Sequence, residues 1–87
     1  MILECYSIKD ELNGYTVPIP MVNDDVAKRY FHDQLKENVC MKNQPADFSL
    51  WYLGQFDTAT GAITSNEETK RLLERGADNG NNNSSEK

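Results

Sequence analysis

The chain has 87 residues, of which 38% are hydrophobic and 26% are charged, and its formal net charge is −5. This length limits it to one domain with a modest core, whose net stability we expect to be only about 3–5 kcal/mol. An acidic balance, taken alone, argues against a nucleic-acid-binding protein, whose footprint is normally basic.

The composition also excludes several classes of protein. No apolar run approaches the ~20 residues that span a membrane, and the N-terminus, MILECYSI, has neither the basic segment nor the cleavage site of a signal peptide. We therefore expect a soluble, cytoplasmic protein without membrane contact. Cys5, Cys40 and the single histidine, His32, lack the spacing of a zinc site, so we expect reduced thiols, no metal and no other cofactor.

The first predicted elements are a strand and a hairpin. Residues 2–8, ILECYSI, are apolar with β-branched and aromatic members, which predicts a strand. The Asn-Gly pair at 13–14 suits the positive φ angles of a tight turn. Residues 15–22, YTVPIPMV, resume the extended pattern, but Pro18 and Pro20 cannot donate to a ladder, so the segment predicts an edge strand or an extended arm.

The clearest helix begins after Asn23, whose side-chain oxygen can accept a hydrogen bond from an unpaired backbone N–H group. Asp24 and Asp25 then place negative charge at the positive end of the helix dipole. Apolar residues recur at three- and four-residue steps, which predicts a helix over residues 24–38 with one apolar face. That face comprises Val26, Ala27, Tyr30, Phe31, Leu35 and Val39.

The most apolar segment of the chain follows a loop at residues 41–45. Residues 48–56, FSLWYLGQF, contain no β-branched residue but are dense in aromatic residues, which also favour pleated surfaces, so they predict a strand. Residues 57–61, DTATG, predict a hairpin loop with Gly61 in the left-handed conformation, and residues 62–65 then return as a short strand.

The C-terminal part is predicted to contain a helix and a tail. Residues 67–75 predict a last short helix with Leu72 and Leu73 as its apolar pair. Residues 76–87, GADNGNNNSSEK, have no apolar residue larger than alanine, which predicts a disordered polar tail. Together the elements predict a single α+β domain over residues 1–75, in which a small antiparallel sheet of three to four strands packs on one main helix.

Strand alternation divides the segment 48–56 into two apolar faces. Trp51 and Leu53 share one face and are too apolar to be left in water, because one helix covers only one side of a sheet. They predict either the interface of a homodimer or a surface on which bases stack, and we favour the dimer. The face expected to meet the helix comprises Phe48, Leu50, Tyr52, Gly54 and Phe56.

Candidate catalytic residues are few. His32 is the only possible base for a serine nucleophile, and the chain has no glycine-rich phosphate loop, so the sequence predicts no enzyme. Lys28, His32 and Lys36 recur at four-residue steps and stack on one side of the helix. They form either a solvated face, neutralised by Asp33 and Glu37, or a stripe that contacts phosphates. The candidate nucleic-acid-binding residues are Lys28, Arg29, His32, Lys36 and Lys42.

Four segments in this order carry a resemblance to a known family. They are YSIKD, VPIPMVND, DDVAKRYFHDQL and PADFSLWYLGQFDTATGAI, and they lie between residues 6 and 63. They resemble the small nonstructural DNA-binding proteins of gokushovirus-type microviruses, which are bacteriophages with single-stranded DNA genomes. The most specific part of the resemblance is the block at residues 45–61.

The resemblance implies a protein that binds viral DNA, which we expect to be single-stranded, in the cytoplasm of the infected bacterial host. It also implies a role in the switch from double-stranded replication to the synthesis and packaging of single-stranded genomes. The family pattern specifies no DNA-contacting residues, so the helix cations are our own inference. The net charge of −5 favours an alternative, an acidic interaction module that docks on the replication initiator or the procapsid without contacting DNA.

Overall fold

The framework of the fold is a pair of long antiparallel strands. The computed structural model describes residues 1–65 and 68–76. Within them, β1 (Ile2–Asp10) and β4 (Phe48–Asp57) pair along their whole lengths. These two strands form the centre of the sheet, and every other strand pairs with one of them.

Each edge of the sheet is made of two short strands. On the outer side of β1 lie β2 (Gly14–Tyr15) and β3 (Ile19–Met21), both antiparallel to it. On the outer side of β4 lie β5 (Ile63–Thr64) and β6 (Arg71–Arg75), again antiparallel. The described residues therefore form a sheet of six strands that is four strands wide.

Both predicted turns form, but the first is a loop over residues 11–13, and of the Asn-Gly pair only Gly14 has positive φ. In the first, Gly14 has φ +95° and the Asn13 N–H donates to the Asp10 carbonyl at 3.2 Å. In the second, Gly61 has φ +80° and its N–H donates to the Asp57 carbonyl at 2.7 Å. Positive φ is readily adopted by glycine because it has no Cβ, so these positions could be identified from the sequence.

The main helix, α1 (Asp24–Glu37), is confirmed to within one residue of its predicted end. Asn23 caps it, since its Oδ1 accepts a hydrogen bond from the Val26 N–H at 2.9 Å. The loop expected at residues 41–45 is wrong in part, because α2 (Val39–Asn43) forms there. The Asn38 side chain caps this second helix by accepting from the backbone N–H groups of its first turn.

The core lies between α1 and one face of the sheet, which we call the covered face. Phe31 and Ala27 are fully buried there, whereas Val26 is 39% exposed and Val39 is 69% exposed, so the predicted apolar stripe is too wide. Tyr30 and Leu35 pack against the core from its margin. The buried apolar residues are Tyr6, Ile8, Ala27, Phe31, Met41, Leu50 and Tyr52.

The predicted fold class, an α+β domain of three to four strands packed on one main helix, is wrong. The described residues form mainly an antiparallel sheet of six strands, and α1 is their only long helix. The β1–β4 pair supplies Tyr6, Ile8, Leu50 and Tyr52 to the core, so the sheet, and not the helix, is the main packing element.

The helix predicted over residues 67–75 is also wrong. Residues 71–75 form β6, which pairs with β4 through partners such as Trp51 and Leu72. Leu73 packs against the core, so both apolar residues of the segment are used by a strand. A short isolated helix with one apolar pair is only marginally stable. Pairing with the edge of β4 satisfies the backbone hydrogen-bonding groups of residues 71–75 and those of β4 together, which favours the strand.

A β-bulge at Leu53 changes the predicted faces of β4. Tyr52 and Gly54 pair with consecutive residues of β1, so Leu53 between them has no partner in that ladder. Upstream of the bulge, Leu50 and Tyr52 meet the helix as predicted, and both are buried. Downstream, Gly54 and Phe56 lie on the other face, so their predicted contact with the helix is wrong. An extra residue reverses the alternation of every later side chain.

The predicted disordered tail falls almost entirely outside the described residues. Of its residues only Gly76 is described, and it is buried where a side chain would collide with the Pro45 carbonyl. The domain boundary predicted after residue 75 is therefore followed directly by Gly76, which packs against the domain.

Candidate functional site

The sheet has a second face, opposite α1, which we call the open face. Within residues 1–65 and 68–76, α1 and α2 pack their buried side chains on the other side of the sheet. The register of the strands assigns residues to this face, because directly paired residues point the same way. The open face carries Cys5, Ser7, Lys9, Tyr15, Trp51, Phe56, Ile63 and Leu72.

Two aromatic side chains meet on the open face. The rings of Tyr15 and Trp51 are 6.0 Å apart between centroids and inclined at 74°, an edge-to-face arrangement. The Trp51 Nε1–H donates to the Ser49 hydroxyl at 2.9 Å, which fixes the orientation of the indole. Tyr15 is 41% exposed and Trp51 is half-buried, so the pair is held in place and still reaches solvent.

Two lysines flank this aromatic pair. Lys9 Nζ lies 5.7 Å from the Tyr15 centroid and 6.0 Å from that of Trp51. Lys70 Nζ lies 5.4 Å and 5.9 Å from the same two centroids. These are cation–π distances, and they place two ammonium groups beside two π-faces. We call Lys9, Tyr15, Trp51 and Lys70 the aromatic–lysine cluster.

Several acidic side chains of the sheet and of α1 are held on the covered face by hydrogen bonds. The Tyr52 hydroxyl donates to Glu4 at 2.6 Å, and the Tyr6 hydroxyl donates to Asp24 at 2.7 Å. Burial, reinforced by the Glu4 carboxylate, raises the pKa of Tyr52 to about 12. Burial and Asp24 likewise raise the pKa of Tyr6. Arg71 lies over the Tyr52 ring at 4.5 Å and pairs with Asp24 at 3.4 Å.

This arrangement separates charge across the sheet. The cations assigned to the open face are Lys9, Lys70 and Arg75, the last through its pairing with Ser49. Glu11 lies 3.9 Å from Lys9. A net charge of −5 for the whole chain is therefore compatible with a locally positive surface, because several acidic groups of the sheet and of α1 lie on the other side.

The predicted helix cations lie on the covered side and not with the aromatic–lysine cluster. His32 Nε2 is 2.7 Å from Glu74 Oε2, a contact that joins α1 to β6. Lys28 is half-buried, whereas Arg29 and Lys36 on α1 are exposed. Lys42 is also exposed, on α2. Their role in binding nucleic acid stays a prediction, and the structure gives His32 a second role as a contact between two elements.

The two residues predicted at an interface, Trp51 and Leu53, are both half-buried. Trp51 belongs to the aromatic–lysine cluster, and Leu53 lines an apolar groove further along the open face. Sequence reasoning missed Lys9 and Tyr15, because they pair across a loop at residues 11–13, whereas a two-residue turn at 13–14 would have paired Leu12 with Tyr15. It also missed Lys70, whose position depends on the β6 pairing and has no local signal.

Two further properties of the described part of the chain bear on its chemistry. Within residues 1–65 and 68–76, no group of three or more His, Cys, Asp or Glu side chains is placed to hold a metal ion. None of the helices in those ranges has the length and apolar character needed to cross a membrane.

Comparison with known proteins gives one match. A family model described as Phage ORF5 protein matches residues 3–79 of the chain. This range contains α1, β4, all of β1 except Ile2, and every residue assigned to the open face. No curated protein and no solved structure matches the chain significantly.

Proposed function

Because the chain belongs to the Phage ORF5 protein family, we propose that it is a phage accessory protein that binds single-stranded nucleic acid and catalyses no reaction. The observation that carries this proposal is the aromatic–lysine cluster on the open face of the sheet. The sequence resemblance to gokushovirus-type proteins supports viral DNA as the ligand. It also supports action in the host cytoplasm, at the switch from double-stranded replication to the synthesis and packaging of single-stranded genomes.

The cluster suits a single strand because it offers both kinds of contact that such a ligand needs. Every base has a π-face that can stack on Trp51 or Tyr15, and stacking contributes about 1–3 kcal/mol per base in other proteins. The backbone of the same strand carries phosphates, for which Lys9 and Lys70 are suitable partners beside the rings. A duplex, whose bases are already stacked, presents its phosphates but not its π-faces.

The proposal can be tested with the chain's own fluorescence, since Trp51 is the single tryptophan. Titration with a thymidine oligonucleotide should quench Trp51 emission, because a stacked base lies directly on the indole. With a labelled oligonucleotide, Trp51→Ala should weaken binding by about 5- to 150-fold, the equivalent of one stacked base. Circular dichroism should show that the variant is folded. Absence of binding at low salt would refute the proposal.

A second candidate function is the interaction module that docks on the replication initiator or the procapsid. The apolar side chains of the open face favour it, since Leu53 and Ile63 are available to a protein partner. The predicted homodimer through Trp51 and Leu53 belongs to the same class of function. Sedimentation of the chain with and without oligonucleotide distinguishes DNA binding from these protein–protein interactions. A second subunit or a protein partner should be bound in the absence of DNA.

A further inference from the structure

An apolar groove lies on the open face beside the aromatic–lysine cluster. It has a volume of about 360 Å³, at the lower end of the ~300–1,000 Å³ typical of small-ligand pockets. Within the described residues, its walls come from four strands, β1, β3, β4 and β5, and from the extended segment before β3. They comprise Cys5, Pro18, Pro20, Leu53, Phe56 and Ile63.

The groove exists because of the bulge at Leu53. The bulge places Gly54 and Phe56 on the open face, where strand alternation alone would have turned them toward α1. Gly54 has φ +153°, and a Cβ on it would collide with the Thr64 carbonyl oxygen. Glycine therefore lets the segment at residues 63–65 cross β4 closely, and the Ser65 hydroxyl donates to the Leu53 carbonyl there. This crossing segment forms one wall.

We propose that this groove holds further nucleobases of the same single strand whose neighbouring base stacks on Trp51. The inference rests on the proposed function and adds a second base-binding position to it. Its first support is charge complementarity: among the described residues, the open face carries the cations Lys9, Lys70 and Arg75, with Glu11 beside Lys9. These cations lie on the Trp51 side of the groove, so they can hold the phosphates of a strand whose next bases lie over the groove.

The same charges argue against a second copy of this chain on the open face. A twofold dimer brings identical patches together, so Lys9 and Lys70 of one protomer would approach those of its partner. Like charges at an interface oppose association, whereas phosphates neutralise them. The apolar area of the groove is thus better matched to bases carried on a polyanion.

The spacing of the two positions sets the length of strand required. Trp51 pairs with Ser7, and Phe56 pairs with Leu3, four residues further along β1. At ~3.3 Å per strand residue this is a separation of about 13 Å. A stacked strand advances about 3.4 Å per nucleotide, so the two positions are about four steps apart and a ligand that reaches both needs roughly five nucleotides. A dinucleotide can occupy only one of them.

The lining predicts little preference among bases. Two of the residues that line the groove, Gln55 and Ser65, carry strong polar groups. The Gln55 side chain points to the covered face, because Gln55 pairs directly with Glu4. Gln55 donates to Glu4 at 3.3 Å, and Ser65 donates to the Leu53 carbonyl, so both are already engaged. An apolar surface without converging donors and acceptors contacts bases through their faces, which all four share.

The test compares a thymidine dinucleotide with a hexanucleotide on the full chain. Ile63→Asp places a negative charge at the groove, and Ile63 is 74% exposed, so the domain should tolerate it. Val39→Asp is the matched control, because Val39 is 69% exposed and lies on α2, away from the open face. Ile63→Asp should weaken hexanucleotide binding by about tenfold or more and leave dinucleotide binding within twofold. Val39→Asp should change neither.

Thiol protection gives a second measurement that needs no substitution. Cys5 lines the groove and Cys40 is exposed on α2, so the two cysteines report the site and a control position in one molecule. The hexanucleotide should slow alkylation of Cys5 several-fold without slowing that of Cys40, and the dinucleotide should not protect Cys5.

The outcomes separate the two proposals. Equal loss of binding for both oligonucleotides, or no protection of Cys5, would overturn the groove as a base-binding position and leave the cluster standing. If light scattering shows that the unmodified chain is a dimer and that Ile63→Asp converts it to a monomer, the groove binds a second copy of the chain, and its proposed role in binding bases is overturned. Failure of the unmodified chain to bind either oligonucleotide would overturn both proposals together.

Discussion

Removal of the two cluster lysines should lower the salt dependence of binding by a predictable amount. Lys9 and Lys70 each place an ammonium group within 6.0 Å of both cluster rings. If each contacts one phosphate, Lys9→Gln/Lys70→Gln removes two contacts from the complex. The slope of log K against log salt changes by about 0.7 per contact for a single strand, so the variant's slope should be shallower by about 1.4.

This slope translates into a measurable difference in affinity. Between about 50 and 200 mM salt, the unmodified chain should lose about sevenfold more affinity than the double variant. Fluorescence anisotropy of a labelled thymidine hexanucleotide over this range gives both slopes. Glutamine keeps most of the aliphatic length of lysine, so packing against Tyr15 and Trp51 is largely preserved while the charge is removed.

The matched control is Lys28→Gln/Lys36→Gln, which removes the same charge from α1. It tests the sequence-based prediction that the helix cations contact phosphates. If the helix variant changes the slope by about 1.4 and the cluster variant does not, the assignment of the binding surface to the open face is refuted. Equal small changes in both would show that only the overall charge matters, which refutes both assignments.

Three further predictions concern stability. Phe31→Ala should lower the free energy of unfolding by about 3–5 kcal/mol, which is comparable to the whole expected stability, so urea titrations should find this variant largely unfolded. As a control, Val39→Ala should change the free energy of unfolding by less than about 0.5 kcal/mol. The pKa of Tyr52 is raised from an ordinary 10.0 to about 12, so the stability that its protonated hydroxyl contributes is complete below pH 10 and is lost as pH rises toward 12. The free energy of unfolding should therefore fall between pH 10 and 12, and should fall less in Tyr52→Phe. Tyrosinate absorbance should show that Tyr52 ionises at a higher pH than an exposed tyrosine. Gly54→Ala should lower the free energy of unfolding by about 1–3 kcal/mol, because the added Cβ collides with the Thr64 carbonyl oxygen. Unchanged stability in urea would show that the segment at residues 63–65 does not pack closely over Gly54.

The separation of charge by the sheet removes an apparent conflict in the composition. A net charge of −5 argues against binding to nucleic acid if the charge is spread evenly. Here Glu4 and Asp24 accept hydrogen bonds from buried tyrosines on the covered face. Lys9 and Lys70 lie on the other face, so the potential that a ligand meets depends on the side from which it approaches.

The elements that could be predicted from the sequence are those fixed by neighbouring residues. Helix α1 follows from the Asn23 cap and the periodic apolar residues behind it, and both hairpin turns follow from glycines with positive φ. The extent of β4 follows from its density of aromatic and leucine residues. In each case the deciding interactions span only a few residues, so the local pattern contains them.

What only the tertiary structure decided depends on pairing between distant residues. The bulge at Leu53 turns Phe56 away from the helix. Gly54 beside it is the kind of strand glycine that suggests a bulge, but it does not specify which residue loses its partner. Residues 71–75 become a strand because the edge of β4 is available to them, and that pairing brings Lys70 to Trp51. The sequence identified the segment at 48–56 as the centre of the protein. The register of its neighbours determined which of its side chains form core and which form the candidate binding surface, because register is set across the sheet and not along the chain.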